Sequence, residues 1–338
     1  MCARVNASVA SVAAAEPTTI RLGLEWFLNP DHLPLIVAKA EGYFASAGLD
    51  VELVEPSDHW EAEREIMEGR LDVAVTETLH LSQDAAAGKP VLGFSRFLHT
   101  DGGVMFLEGS NITRPSDMCG RNISYPGSPG PGGPAIVQTM VEADGGSCDL
   151  ASYGKHNGGF FHTAALAERK AEVATLIFYN FEVVEARAQG LKPGFFSLKD
   201  WGVPDFCQLV LFTTPSRFEQ LRPSLRALVL AMRKATGLIH REPAKAAAHF
   251  TAYTKAKSGT RLGVLETMNP LAMLARRKAA KLDAQIMAAT LPAFPNDNGL
   301  SSDYFDSLMA WLVKTGQVES QKAEATPSSN YWTNSVAL

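Results

Sequence analysis

The sequence predicts an α/β protein whose two lobes close around a central cleft. Three observations carry that expectation: a strand–helix–strand unit near the start, a second stretch that repeats its logic, and a return of the chain through a run of helices. Lobe one is expected over residues 18–105 and lobe two over 106–205. Residues 206–317 then return to lobe one with the C-terminal helices. Residues 1–17, rich in Ala, Ser and Val, read as a disordered leader, and the polar stretch 318–338 as a flexible tail.

The opening unit runs from Ile20 to Pro56. Ile20, Leu22 and Leu24 alternate with polar or small residues, the period of a half-buried strand. Pro30 and Pro34 forbid a continuing strand and allow a helix to start near Leu33. Ile36, Val37, Ala40, Tyr43 and Phe44 recur at helical spacing, and Gly48 ends the helix. Val51, Leu53 and Val54 open a second strand, so the unit is a right-handed parallel crossover. A helix over Trp60–Gly69, a strand Leu71–Val75, a helix Leu79–Ala87 and a strand Val91–Phe97 follow. Val104–Leu107 is a fourth or crossover strand. The order β-α-β-α-β-α-β up to about residue 105 describes an open, mostly parallel sheet.

The second stretch has strands at Asn122–Tyr125 and Val173–Phe178 and helices at Ala135–Ala143, Ala164–Lys170 and Phe181–Gln189. Between Tyr125 and Ala135 lies PGSPGPGGP, the most unusual local composition in the chain. From Pro215 onward the sequence is helical: Pro215–Arg241, Pro243–Thr254, roughly 262–290 and 301–314.

Composition narrows the class. Of 338 residues, 46% are hydrophobic and 20% charged, which is ordinary for a globular protein. A formal net charge of −5 offers no general attraction to nucleic acid or anionic lipid. No apolar run approaches the roughly 20 residues needed to span a bilayer. Cys2, Cys119, Cys148 and Cys207 are far apart, without metal-ligand spacing or a dense disulfide pattern, which fits a reducing compartment. The expected location is cytoplasmic, with the periplasm or an organelle as alternatives.

The candidate site residues cluster at strand ends, where open α/β sheets bind ligands. Trp26, Asn29 and His32 share the first turn. They form either a stacking platform with hydrogen bonds for a flat heterocycle, or a loop aromatic over the core and an Asx turn at Asn29–Asp31. Glu77 and His80 flank the end of strand LDVAV, where His80 would donate to a ligand, act as a base, or merely satisfy its own hydrogen bonds. Tyr125 precedes the glycine-rich turn. In that turn Gly127, Ser128 and Gly130 free backbone N–H groups for an anion, or else form a rigid surface loop. The turn lacks the Gly-Lys-Ser/Thr of a Walker loop and is no dinucleotide fingerprint. Asn180 and Glu182 follow strand Val173–Phe178, where a carboxylate can hold an aminopyrimidine edge or offset a helix dipole. Trp201 and Asp205 lie on the crossing segment back to lobe one and would line a hinge or the cleft floor. Beside them, Cys207 reads equally well as a small buried residue. No Ser-His-Asp order and no His-x-x-x-His pair is present. His156 and His162 lie in a Gly/Asn-rich loop.

These stretches together resemble a known superfamily. LEWFLNPDHLPLIVAKAEGYFASAGLDVELVEP is similar to the opening of bacterial periplasmic proteins that bind aminopyrimidines, alkanesulfonates or nitrate, and of the fungal thiamine-pyrimidine synthases. The resemblance covers about residues 18–315 and implies a type II periplasmic-binding-protein fold. The synthases make hydroxymethylpyrimidine phosphate from pyridoxal phosphate and one of their own histidines, with iron. His80 matches that histidine, but the synthase lysine position is Thr76 here. Their Cys-Cys-Cys-Phe-Cys run reads Val-Pro-Asp-Phe-Cys, leaving Cys207 alone. A Schiff base thus lacks its amine and the thiolate cluster is absent. Gly127–Gly130 corresponds to the synthase phosphate loop, and Glu182 to the carboxylate that aminopyrimidine binders place on the ring.

The resulting expectation is a non-catalytic binder of a thiamine-precursor aminopyrimidine or its phosphate. It needs no cofactor, with a transporter permease or a second copy of the chain as partner. The alternatives are a synthase-type enzyme using pyridoxal phosphate, iron and His80, or a binder of sulfonate, nitrate or another aromatic anion.

Overall fold

The computed structural model describes residues 16–56, 61–125, 132–261 and 270–337. Its ten strands, in chain order, are β1 (Thr18–Gly23), β2 (Leu49–Val54), β3 (Val73–Glu77), β4 (Leu92–His99), β5 (Gly102–Leu107), β6 (Asn122–Tyr125), β7 (Gly154–Asn157), β8 (Val173–Phe178), β9 (Pro193–Ser197) and β10 (Gln208–Thr213). They form two five-stranded sheets, ordered β2-β1-β3-β10-β4 and β7-β6-β8-β5-β9. Of the expected leader only Glu16 and Pro17 are described.

The opening crossover forms as its pattern predicts. Strands β1 and β2 pair in parallel from Thr18–Leu49 to Gly23–Val54, with Ile20, Leu22 and Leu24 fully buried. The first sheet is nonetheless less parallel than expected. Strand β10 inserts between β3 and β4 and runs antiparallel to both. Its six residues are buried, as a central strand covered on both faces requires. Strand β5 belongs to the second sheet, antiparallel to β8 and β9, so the chain crosses between sheets once after His99 and again before Gln208. At the first crossing Gly102 has no room for a side chain: a Cβ there would overlap Cys207.

Two expectations are corrected. Residues 318–337 do not fray. They form a short helix, Ser320–Glu324, and then return to the first sheet. Tyr331 and Trp332 are buried, Gly93 N–H donates to the Tyr331 carbonyl at 2.8 Å, and Thr333 N–H donates to the Gly93 carbonyl at 2.9 Å. Trp332 covers Gly93 so closely that a Cβ there would lie 2.6 Å from its ring. Burying two large aromatics outweighs the polarity of the rest of the tail. The cysteines, whose wide spacing fits a reducing compartment, include a bonded pair: Cys119 and Cys148 form a disulfide across 29 residues. That bond counts against a reducing compartment. No helix of the described residues is long and apolar enough to cross a membrane.

Candidate ligand-binding cleft

A cavity of about 40 Å³ lies at the carboxyl ends of β1, β3 and β8, lined by residues of both sheets. Glu25, Trp26, Asn29 and Asp31 come from the turn after β1, Glu77 from the end of β3, and Leu209 from the start of β10. Leu176, Phe178, Phe181 and Glu182 come from β8 and the turn that follows it.

The turn after β1 is built by its own side chains. Asn29 Oδ1 accepts from the Asp31 N–H at 2.8 Å, and its Nδ2 donates to the Phe27 carbonyl at 3.0 Å. The Asx turn is therefore what Asn29 does; it faces the cavity with both polar groups already engaged. His32 is wholly buried behind the turn. Its Nδ1 accepts from the Asn29 N–H, and its Nε2 lies 3.2 Å from both Glu25 carboxylate oxygens. Burial disfavours the charged imidazole, but Glu25 outweighs it by charge and hydrogen bond and raises the His32 pKa. His32 thus aims Glu25 rather than touching a ligand.

Trp26 is held between the lobes. Its ring meets Phe160 with centroids 4.2 Å apart and lies nearly parallel to His162, 14° between planes at 6.4 Å. The indole Nε1 is buried and has no hydrogen-bond partner among the described residues. A buried donor left open at a cavity wall is an invitation to a ligand acceptor. His162 is likewise buried, its Nδ1 3.1 Å from Ser124 Oγ, and burial followed by the charge of His156 lowers its pKa to about 4.

On the other lobe, β8 carries one extra residue relative to β5, since Gly103 pairs with Ile177 and Met105 with Ala174. Leu176 absorbs the excess at φ +58°, a left-handed conformation costly for a branched side chain, and lines the cavity. The chain then makes a π-helical turn, Tyr179–Val183, where an ordinary α-helix over Phe181–Gln189 was expected. Such turns mark functional sites; this one sets Phe181 and Glu182 on the cavity wall. Glu182 accepts from the Phe178 N–H at 2.9 Å, and burial pushes its pKa well above the carboxylate range. Asp31, also buried, has its pKa raised to about 6, burial outweighing nearby His32 and the Asn180 and Thr290 donors.

Other predicted residues stand behind the wall. His80 Nδ1 lies 2.7 Å from Glu77, and its Nε2 faces the Tyr125 hydroxyl at 3.2 Å. Burial works against the charged His80 ring, but Glu77 more than compensates and its pKa is raised. Burial raises the Tyr125 pKa. Asn180 donates to Asp31 and to Thr290 Oγ1, while its own Oδ1 is buried without a partner among the described residues.

Trp201 and Asp205 do not reach the cavity. Trp201 packs edge-on against Phe196, and Asp205 accepts from His99 at 2.8 Å; the crossing segment is anchored instead by buried Phe206 and Cys207. Gly127, Ser128 and Gly130 lie outside the described residues. Sequence reasoning missed Glu25, Asp31, Leu176, Phe178, Phe181 and Leu209 as lining residues. For Glu25 and Asp31 the signal was adjacency to Trp26 and Asn29; for Leu209, contributed by the inserted β10, there was no local signal.

Among the described residues the synthase lysine position carries no amine. Thr76, in β3, offers only a hydroxyl at the lysine position, and it donates to the Glu77 carbonyl. Among the described residues no three His, Cys, Asp or Glu side chains gather as a metal site.

Residues 29–246 match a family model described as NMT1/THI5 like. A formylaminopyrimidine-binding protein of Halalkalibacterium halodurans is 29% identical over 203 residues, a match spanning 60% of each chain. A putative thiamine biosynthesis protein of Haemophilus influenzae is 26% identical over 267 residues, covering 79% of this chain and 83% of its own. Among solved structures, the alkanesulfonate-binding protein of Xanthomonas axonopodis pv. citri superposes with a TM-score of 0.65 at 13% identity, over 94% of this chain and 99% of the other. That likeness establishes the periplasmic-binding-protein fold.

Proposed function

The chain belongs to the NMT1/THI5-like family, and we propose that it binds a thiamine-precursor aminopyrimidine of the hydroxymethylpyrimidine type without making it. The observation that carries this is that Trp26 and Glu182, from opposite lobes, line one cavity. The formylaminopyrimidine binder among its relatives supports the ligand class. An aminopyrimidine needs an aromatic face and a partner for an adjacent ring nitrogen and amino group. The Trp26 ring supplies the face. A carboxyl kept protonated by burial donates its O–H to the ring nitrogen and accepts from the amino group, which is what Glu182 offers. The open Trp26 N–H takes a further acceptor on the ligand.

The cavity volume of about 40 Å³ is room for roughly three waters. A six-membered ring therefore enters as the lobes part and closes them behind it. Among the described residues the synthase reading has no amine at Thr76 and no metal cluster to stand on, so we propose no cofactor and no catalysis. Sulfonate or nitrate binding lacks a cation: none of the described lining residues is Lys or Arg.

The Cys119–Cys148 bond supports an oxidising compartment such as the periplasm, and delivery to a membrane permease is the partner this reading implies. Calorimetry with 4-amino-5-hydroxymethyl-2-methylpyrimidine tests the assignment. One-to-one binding that Glu182→Leu abolishes is expected; no heat from the intact chain would remove the reading. Incubation with pyridoxal phosphate and iron, followed by intact mass, tests the synthase alternative. The peptide holding His80 is expected to keep its mass.

A further inference from the structure

The Gly/Asn-rich loop 158–161 reaches from the second lobe to Trp26. It leaves β7, an edge strand of the second sheet, at Asn157 and enters the helix His162–Ala167. Its own bonds fold it tightly. Gly158 N–H donates to the Tyr125 carbonyl at 3.2 Å, Gly159 N–H to Asn157 Oδ1 at 2.9 Å, and Phe161 N–H to the Gly158 carbonyl at 2.9 Å. Gly159 sits at φ +53°, where glycine is at ease. The turn carries two phenylalanines with different fates. Phe161 is 66% exposed, whereas the Phe160 ring is half-buried against the first lobe. Its centroid lies 4.2 Å from that of Trp26 and 6.3 Å from that of Phe27. At 4.2 Å the two rings touch, and no third ring fits between them. A ring inserted there would need them roughly 7–8 Å apart, two van der Waals contacts. Phe160 and Trp26 stand on different lobes, so parting the lobes separates them and closing the empty cleft brings them back together.

We propose that Phe160 is a gate on the ligand cavity: it packs on Trp26 while the cavity is empty, holds the cleft shut, and must leave before a ligand ring takes its place on the indole. The gate regulates the same site as the aminopyrimidine reading and rests on that reading. An aromatic pair of this kind shifts an equilibrium by about two- to tenfold beyond the area it buries. The open form that admits a ligand is depleted by that factor, and the apparent affinity falls with it. Phe160 therefore weakens binding and slows entry, while keeping the Trp26 face out of water between ligands.

Calorimetry and stopped-flow fluorescence of the full chain with 4-amino-5-hydroxymethyl-2-methylpyrimidine test this, using the parent, Phe160→Ala, Phe160→Tyr and Phe161→Ala. Phe160→Ala is expected to bind about two- to tenfold more tightly, through faster association at an unchanged dissociation rate. Phe160→Tyr, which keeps the ring, and Phe161→Ala, which removes an exposed one, are expected to follow the parent. Weaker binding by Phe160→Ala with faster dissociation would make Phe160 a cover over the bound ligand, and parent-like rates would make it a bystander; either overturns the gate and leaves the aminopyrimidine reading standing. An equal gain in Phe161→Ala would assign the effect to the loop as a whole and also overturns it. If the pyrimidine binds neither the parent nor any variant, the aminopyrimidine reading fails and the gate fails with it.

Discussion

Asn180, just past β8 in the second sheet, donates its Nδ2 to Asp31 Oδ1, in the turn after β1 of the first, at 2.5 Å. Thr290 Oγ1, at the end of the helix Pro270–Thr290, joins both: it accepts from Asn180 at 2.7 Å and lies 3.2 Å from Asp31. This buried triad fastens the lobes beside the ligand cavity. Asn180→Ala would leave two buried polar groups without their shared donor. A loss of about 1–3 kcal/mol in denaturant unfolding is expected, together with a larger radius of gyration in solution scattering.

Asp31 and His162 are expected to give the protein opposing pH responses. Asp31 has a folded pKa of about 6 against an ordinary 3.8, so the folded state keeps a proton that the unfolded chain releases. Its contribution to stability falls as pH rises through that window, by about 3 kcal/mol. His162 has a folded pKa of about 4 against 6.5, so the unfolded chain takes up the proton first as pH falls. Its contribution rises with pH by a similar amount, about 3 kcal/mol. Relative to the parent, Asp31→Asn should gain stability between pH 4 and 7, and His162→Gln should lose it. Unfolding midpoints measured at each pH unit read both slopes.

Much of this architecture was legible because it is local. The alternation of Ile20, Leu22 and Leu24 and the prolines that follow define the first crossover, and Trp26 and Glu182 stand at strand ends where a ligand edge belongs. What was not legible depends on partners far along the chain. Strand β10 enters the first sheet from over 100 residues away, and Cys119 meets Cys148 only once the second lobe folds. Asn29 and His32 carry polar groups that suit a ligand equally well, yet the turn itself consumes them. In the tail, Tyr331 and Trp332 were the signal that its polarity obscured.

The tail is expected to behave as part of the core. Trp332→Ala should cost roughly 3–5 kcal/mol. Gly93→Ala, which drives a methyl into Trp332 and Leu81, should cost about 1–3 kcal/mol. Thermal unfolding of both variants checks this; melting unchanged from the parent would mean that the tail is not seated on β4.

The disulfide closes a loop of 29 residues, for which chain entropy gives a stabilisation of roughly 3–4 kcal/mol. Replacing Cys119 and Cys148 together by Ser should lower stability by about that amount. Thiol titration of the denatured, unreduced protein should find Cys207 reactive and Cys119 and Cys148 silent.

Removing the Trp26 ring should weaken pyrimidine binding roughly tenfold to a hundredfold, the scale of a lost aromatic anchor. Trp26→Phe should recover part of the affinity, since it restores a stacking face but not the indole N–H. Calorimetric titration of the two variants separates these contributions.

The central claim is most directly tested by a crystal structure of the chain with 4-amino-5-hydroxymethyl-2-methylpyrimidine bound. The ring should lie against Trp26 with its amino edge on the Glu182 carboxyl. A ring bound elsewhere, or one in this cavity that touches neither residue, would contradict the account.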